Sequence, residues 1–323
     1  MQTSPFHRGE RQLQTALGVR DKVEKMGQRV IRDHVPEQHA DFYADLPFVF
    51  LGSVDENGRP WASMLTGRAG FISTPEPRTL LIDATPTTDD ALQANLTPGA
   101  PLGLLGIDYA ARRRNRLTGT VASAQDHALR INVHQTFGNC PMYIQGREYT
   151  PPLERIPKPD TASERLDRFD ADAKALVRGA DNFYIATHAL GENADVRRGA
   201  DVSHRGGNPG FVRIDDDHTL TFPDFRGNRH FNTLGNIEVT RRAGLLFVDF
   251  ANGDLLQLTG AATIDHDHPD IANFAGAERL VRFHLETGTR LRRAIPGTWT
   301  FIDYSPRLAK TGTWGNTPQG ANR

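Results

Sequence analysis

A chain of 323 residues, 38% hydrophobic and 24% charged, is long enough for about two ordinary domains with separate cores. Its formal net charge of -1 gives no global field toward nucleic acid or an anionic membrane, and its single cysteine, Cys140, excludes an intrachain disulfide and a cysteine-based metal cluster. No run approaches the ~18 apolar residues of a membrane span, and the first residues lack a signal-peptide core, so a cytoplasmic protein with no nucleic-acid or membrane partner is expected.

In chain order, residues 9–35 predict an amphipathic helix through Leu13, Leu17, Val23, Met26 and Val30, ended by Pro36. The pattern then changes to short apolar stretches cut by Gly and Pro: 48–54, 79–83 and 102–107, with Asp55–Gly58 as a hairpin turn. Residues 151–160, with four prolines, read as a linker. A second helix is expected over 161–178 through Leu166, Phe169 and Leu176. Strand-like stretches resume at 183–187, 210–214, 219–222, 244–250 and 255–264, and the tail 305–323 reads as irregular.

Laid over itself, the chain repeats. Gly103-Leu-Leu-Gly-Ile-Asp108 matches Gly244-Leu-Leu-Phe-Val-Asp249, and Leu117-Thr-Gly119 matches Leu258-Thr-Gly260 at the same offset. Gly70-Phe-Ile72 matches Gly210-Phe-Val212, Thr79-Leu80 matches Thr219-Leu220, and Asn95-Leu96 falls on Asn236-Ile237. Phe48–Val54 would answer to Phe183–Ala189. Many short strands in two copies predict a mainly β protein with flanking helices (α+β), built from two tandem barrels. The expected division is 1–150 for an N-terminal helix and first barrel, 151–180 for linker and helix, and 181–323 for the second barrel and tail.

The copies differ where chemistry is expected. In the second, Asp201-Val-Ser-His-Arg-Gly-Gly-Asn-Pro-Gly210 leads into a strand carrying Arg213, and Phe222-Pro-Asp-Phe-Arg-Gly-Asn-Arg229 opens a helical segment. Arginine forks suit a phosphate, paired Gly206 and Gly207 let backbone N–H groups approach a ligand, and Asn228 and Arg229 at a helix start add donors and a favourable dipole. Arg205, Arg213, Arg226 and Arg229 thus bracket two strand ends. The first copy places Leu65 at Arg205 and Thr-Asp-Asp (88–90) near Asn228–His230, where acidic groups would repel an anion. One anion site, in the second half, is the expectation.

These residues resemble the FMN-binding split barrels, the pyridoxamine 5′-phosphate oxidase-like flavoproteins. Ser203–Phe211, Pro223-Asp224, Gly227-Asn228, Thr233–Asn236 and Phe137–Pro141 look like a bacterial double-barrel subgroup of them. The resemblance implies FMN as cofactor, with Arg213 and Arg229 on its phosphate. It places Phe222, Pro223 and Asp224 along the ribityl chain and flavin edge, and Gln257 and Thr259 toward the pyrimidine side. Ser203, His204, Arg205, Gly206 and Gly207 would form the loop near the phosphate, and Asn228, Thr233 and Asn236 would belong to the cofactor-binding helix start. Trp314 could pack beside the ring or anchor the tail. The cleft would lie between two barrels, supplied by the internal repeat or by a homodimer.

The implied function is a flavin-dependent oxidoreductase with a small-molecule substrate and NAD(P)H or a reductase as electron donor. The alternative is a non-catalytic FMN-binding or sensing module, or a reductase partner. Oxidation of pyridoxamine phosphate itself is not expected, because Arg282-Phe-His284 is followed by Glu286 where a second arginine would be needed. No side chain stands out as catalytic. Arg112–Arg116 reads first as solvent-facing strand arginines and second as lining of the cleft from the opposite barrel. Asp265–Asp270 reads as a solvated turn rather than a metal site. Cys140 reads as a turn cysteine, with a redox thiol near the flavin as the other option.

Overall fold

The computed structural model describes residues 4–125, 127–152, 162–190, 197 and 199–314. The fold is mainly β with flanking helices, arranged as two tandem split barrels. Helices α1 (Arg8–Ala16), α2 (Arg20–Val30) and α3 (Glu37–Ala44) precede the first sheet. That sheet comprises β1 (Phe48–Val54), β2 (Pro60–Thr66), β3 (Ile72–Glu76), β4 (Thr79–Asp83), β5 (Pro101–Asp108), β6 (Arg113–Gln125) and β7 (Ala128–Asn139), with α4 (Ala91–Asn95) after β4. Then come β8 (Gly146–Thr150), β9 (Ser163–Leu166) and α5 (Ala171–Gly179). The second sheet comprises β10 (Asn182–His188), β11 (Ala200–Gly206), β12 (Arg213–Ile214), β13 (Thr219–Phe225), β14 (Arg242–Val248), β15 (Leu255–Asp265) and β16 (Ala277–Leu291). Helices α6 (Asn232–Thr240) and α7 (Asp270–Asn273) fall within it, and β17 (Thr298–Asp303) follows.

The first sheet runs β2-β1-β5-β6-β7-β4-β3 and the second β11-β10-β14-β15-β16-β13-β12, the same order strand for strand. Both carry a register shift at one place, Thr118/Gly119 and Thr259/Gly260. Glycine is needed there: a Cβ on either would run into the carbonyl oxygen of Asn132 or His284. Matching hydrogen bonds tie helix to sheet at 3.0 Å, Asn95 to Ser53 and Asn236 to Thr187. One alignment needs correction. Phe50 lies opposite Leu105 and Tyr184 opposite Leu246, so Phe48 answers to Asn182, not Phe183.

Two helix expectations also change. The helix over 9–35 is broken where Gly18 turns left-handed, at φ 65°, and only Leu13 and Val23 of its five apolar residues are buried. The stretch 161–178 starts as β9, paired with β16; the helix begins only where Asp170 caps it through the Ala173 amide. The proline-rich segment 153–161 and the tail from 315 lie outside the described residues.

Each barrel has its own apolar core, and a third cluster fills the seam between them. In that seam Phe50 and Tyr184 stack at 3.5 Å, with ring planes 14° apart. The backbones approach closely because Gly103 faces Ala200 and Asp201 while Gly244 faces Pro60 and Trp61. Helix α1 crosses to the second barrel, where Leu13 joins its core and Gly9 lies against Gly235 of α6. A Cβ on Gly235 would sit 2.6 Å from the Glu10 amide nitrogen and 2.8 Å from its Cα. Gly235→Ala should therefore lift α1, costing about 1–3 kcal/mol. Faster amide exchange across residues 8–16 would register the detachment, and unchanged protection would refute it.

Candidate functional site

A cleft opens at the seam where β6 of the first barrel meets β11, β13, β16 and the start of α6. Its cavity volume is about 90 Å³, below the range of about 300–1,000 Å³ usual for ligand pockets, so a cofactor-sized ligand would extend from it into the open mouth. Arg114, Arg116, Asn139 and Cys140 come from the first half; the other lining residues come from the second. The cleft is thus assembled within one chain.

The loop before α6 is shaped by local chemistry. Asn228 Oδ1 accepts a hydrogen bond from the His230 amide at 3.0 Å, and Asn228 Nδ2 donates to Asn139 Oδ1 across the seam at 2.7 Å. Arg229 and Phe231 both adopt the left-handed region, at φ 67° and 65°, a cost of order 1–3 kcal/mol each that the surrounding packing must hold. Phe231, the N-cap residue, gives α6 no side-chain cap, and Asn232, Thr233 and Leu234 of its first turn line the cleft. A helix start so arranged presents backbone N–H groups and a positive dipole end to an anion.

Five arginines line this space against two carboxylates, Asp224 and Glu278. Asp224 accepts from Arg205 Nη1 at 2.6 Å and from Arg279 Nη1 at 2.5 Å, while Glu278 takes Arg229 in a fork at 2.6 and 3.0 Å. Arg116, 4% exposed, donates to Asn232 Oδ1 at 3.2 Å and pairs with Asp201. The Nε groups of Arg116, Arg205 and Arg279 are buried without a hydrogen-bond partner. Burial, then the charges of Arg114 and Arg205, pull Arg116 down to about 9, so it remains cationic at neutral pH. A buried excess of guanidinium donors is costly unless an anion joins them.

The corresponding place in the first barrel is filled. Asp90 caps α4 through the Leu92 amide at 2.9 Å and accepts from Ser63 Oγ at 2.6 Å. Gln257, fully buried, reaches across from β15 to donate to Asp90 at 3.0 Å, Ser63 Oγ at 2.8 Å and the Ala62 carbonyl at 3.0 Å. A carboxylate of the chain itself sits at that helix start.

Of the residues singled out in sequence, Ser203, His204, Arg205, Asp224, Asn228, Arg229 and Thr233 line the cleft. Pro223 and Gly206 line a smaller recess that shares Arg114, Cys140, His204 and Arg205 with it. Others do not come to the cleft. Arg213 is held by Asp215 and Asp270 at 2.7 Å each and stacks 4.2 Å from the Trp314 ring. Trp314 anchors the tail, donating to the Phe211 carbonyl at 2.8 Å and packing on Phe274. Phe222 points into the second core, Asn236 is bonded to Thr187, and Gly207 packs on Phe211. Thr259 donates to the Pro60 carbonyl at 2.9 Å and, with Gln257, belongs to the seam by the first barrel. Arg226 is exposed outside the lining.

The preferred reading of Arg112–Arg116 as a solvent-facing run is also corrected: Arg114 and Arg116, two apart on one strand face, both enter the cleft. Glu10, Asn232, Glu278 and Arg279 were missed. Glu278-Arg279 is an acidic-basic pair on β16, a pattern that does not distinguish a site from ordinary surface.

Residues 35–156 match a family described as pyridoxamine 5′-phosphate oxidase. The match falls on the first barrel, although the sequence motifs pointed more strongly to the second. No curated protein matches. Among solved structures, HupZ of Group A Streptococcus is similar at 17% identity, covering 36% of this chain and 89% of its own, with a TM-score of 0.29. A protein related to general stress protein 26, of the pyridoxinephosphate oxidase family, from Clostridium acetobutylicum, is 16% identical over 41% of this chain and 92% of its own, with a TM-score of 0.28. An FMN-binding protein from Syntrophomonas wolfei is 13% identical over 38% and 96%, with a TM-score of 0.24. No helix among the described residues is long and apolar enough to cross a membrane.

Proposed function

We propose that the chain binds one FMN in the cleft of its second barrel and works as a flavin-dependent oxidoreductase. The observation that carries this reading is the arginine cluster around the uncapped start of α6, with three buried Nε donors lacking partners. These residues fit a phosphate monoester: Arg116, Arg205 and Arg229 would hold it, with the first amides of α6. Asp224 and Glu278 keep those guanidinium planes oriented. The first barrel has lost its own site to Asp90 and Gln257 and serves by lending Arg114 and Arg116 to the second.

Bound FMN would supply hydride or electron chemistry, received from NAD(P)H or a reductase. The chain's residues bind, orient and exclude water. His204 is buried beside Arg114, Arg147 and Arg205, and burial and those charges hold it well below the usual histidine range. It is a neutral hydrogen-bonding group, not a proton shuttle, at neutral pH.

The test is flavin content after purification and FMN titration followed by fluorescence. Arg116→Gln with Arg229→Gln should weaken FMN binding about 100-fold or more, as expected for losing two charge-assisted contacts. Arg213→Gln, outside the cleft, should leave it unchanged. Equal affinity in the double variant would refute the phosphate assignment. A bound flavin that no donor reduces would instead favour a binding module over an enzyme.

A further inference from the structure

Beside the phosphate-binding end, the cleft runs into a recess lined by Arg114, Cys140, Met142, Tyr143, His204 and Phe225, among others. Arg114 differs from the other arginines of the cleft. It has no carboxylate partner among the described residues: its Nε donates to the Cys140 carbonyl at 2.8 Å, Nη1 faces His204 Nδ1 at 3.3 Å, and Nη2 lies 3.6 Å from Cys140 Sγ. A guanidinium cannot accept a hydrogen bond, so this contact places the His204 proton on Nε2. That N–H is buried without a partner. Arg114, a cation with no carboxylate partner among the described residues, and His204 therefore line one recess. Its wall includes the Tyr143 and Phe225 rings, 5.2 Å apart and tilted by 35°.

We propose that this recess receives the carboxylate of a planar organic acid, and that such an acid is the substrate class of the flavin site. The second half of that statement rests on the flavin reading; the first does not. Arg114 meets the carboxylate beside the neutral His204 ring, and the aromatic wall favours a flat body. Because His204 is neutral, the selection is for an oxyanion and not for a group that must be protonated on binding.

Calorimetric titration of the purified chain with benzoate and with benzamide, alongside its measured FMN content, tests this. Benzoate should bind about tenfold or more tightly than benzamide, and Arg114→Gln should remove about that factor, the usual scale of a charge-assisted hydrogen bond. Arg114→Lys, which keeps the charge and guards against mere misfolding, should retain benzoate binding within about threefold. Equal binding of benzoate and benzamide, or a benzoate affinity indifferent to Arg114→Gln, overturns the proposal. A chain that discriminates through Arg114 but carries no FMN sinks the flavin reading and the substrate assignment, and leaves the carboxylate recess standing.

Discussion

Gly244→Ala should be among the most damaging single-methyl changes available in this molecule, costing about 3 kcal/mol or more, the upper end of overpacking effects. Its Cβ would collide with the Pro60 carbonyl oxygen and stand 2.7 Å from that carbonyl carbon and 2.9 Å from Trp61 Cα. All three are backbone atoms of β2, so no side-chain rotation relieves the clash; the two barrels must part. Parting them would loosen the stacked Phe50–Tyr184 pair and the arginine cleft, since both lie on the same seam. Gly103→Ala meets the symmetry-related obstacle, Asp201 Cα at 2.6 Å and the Ala200 carbonyl at 2.8 Å, and should behave alike. Gly179→Ala, with nothing within 4 Å, is the control and should be neutral. Urea midpoints of the three variants decide the matter. If Gly244→Ala melted with the parent, the barrels would be docked less closely than described.

The same seam explains what was legible in the sequence and what was not. Strand positions came through because turn glycines and apolar runs are local signals: 48–54 and 79–83 coincide with β1 and β4. The loop Gly227–Arg229 was legible for the same reason, as a Gly-Asn-basic run before a helix. The partners were not. Asp224 meets Arg279, 55 positions on, only because β13 pairs with β16. The reach of Gln257 and Arg116 was hidden by the pseudo-symmetry itself. Each late strand crosses the seam to the other barrel, so Gln257 of β15 serves the first barrel's helix start and Arg116 of β6 serves the second's. The resemblance carried Gln257 to the flavin's pyrimidine side, whereas its amide is engaged by Asp90 and Ser63 of the first barrel. Arg213 failed differently: its neighbours Asp215 and Asp270 claim it, and Asp270 lies beyond any local window.

Glu10→Gln should reverse the pH dependence of stability. Glu10 is 3% exposed on α1, accepting from the His7 amide at 2.8 Å and from Asn232 Nδ2 of the cleft. Burial raises its pKa from 4.5 to about 8, against the lowering pull of those hydrogen bonds, Arg116 and Arg197. The fold therefore holds a proton that the unfolded chain gives up near 4.5, and stability is lost as pH rises toward 8. The whole effect is on the order of 5 kcal/mol. His230, flanked by Phe6 and Phe137, works oppositely: burial and Arg116 lower it from 6.5 to about 4, so its contribution is lost as pH falls through that range. Between about 4.5 and 6.5 the two slopes offset each other, leaving the Glu10 decline, on the order of 2 kcal/mol, between about 6.5 and 8. Glutamine keeps the size and an acceptor oxygen while removing the titration. The variant should gain stability with rising pH up to about 6.5 and then hold it, where the parent falls. Urea unfolding at pH 5, 6.5 and 8.5 measures this, and parallel profiles for the two proteins would mean that Glu10 is ionised in the fold. A carboxylate ionised behind the α6 start would oppose an anion there, so on the proposed flavin reading FMN affinity should fall more between about pH 6.5 and 8 in the parent than in the variant, below the range where Arg116 titrates.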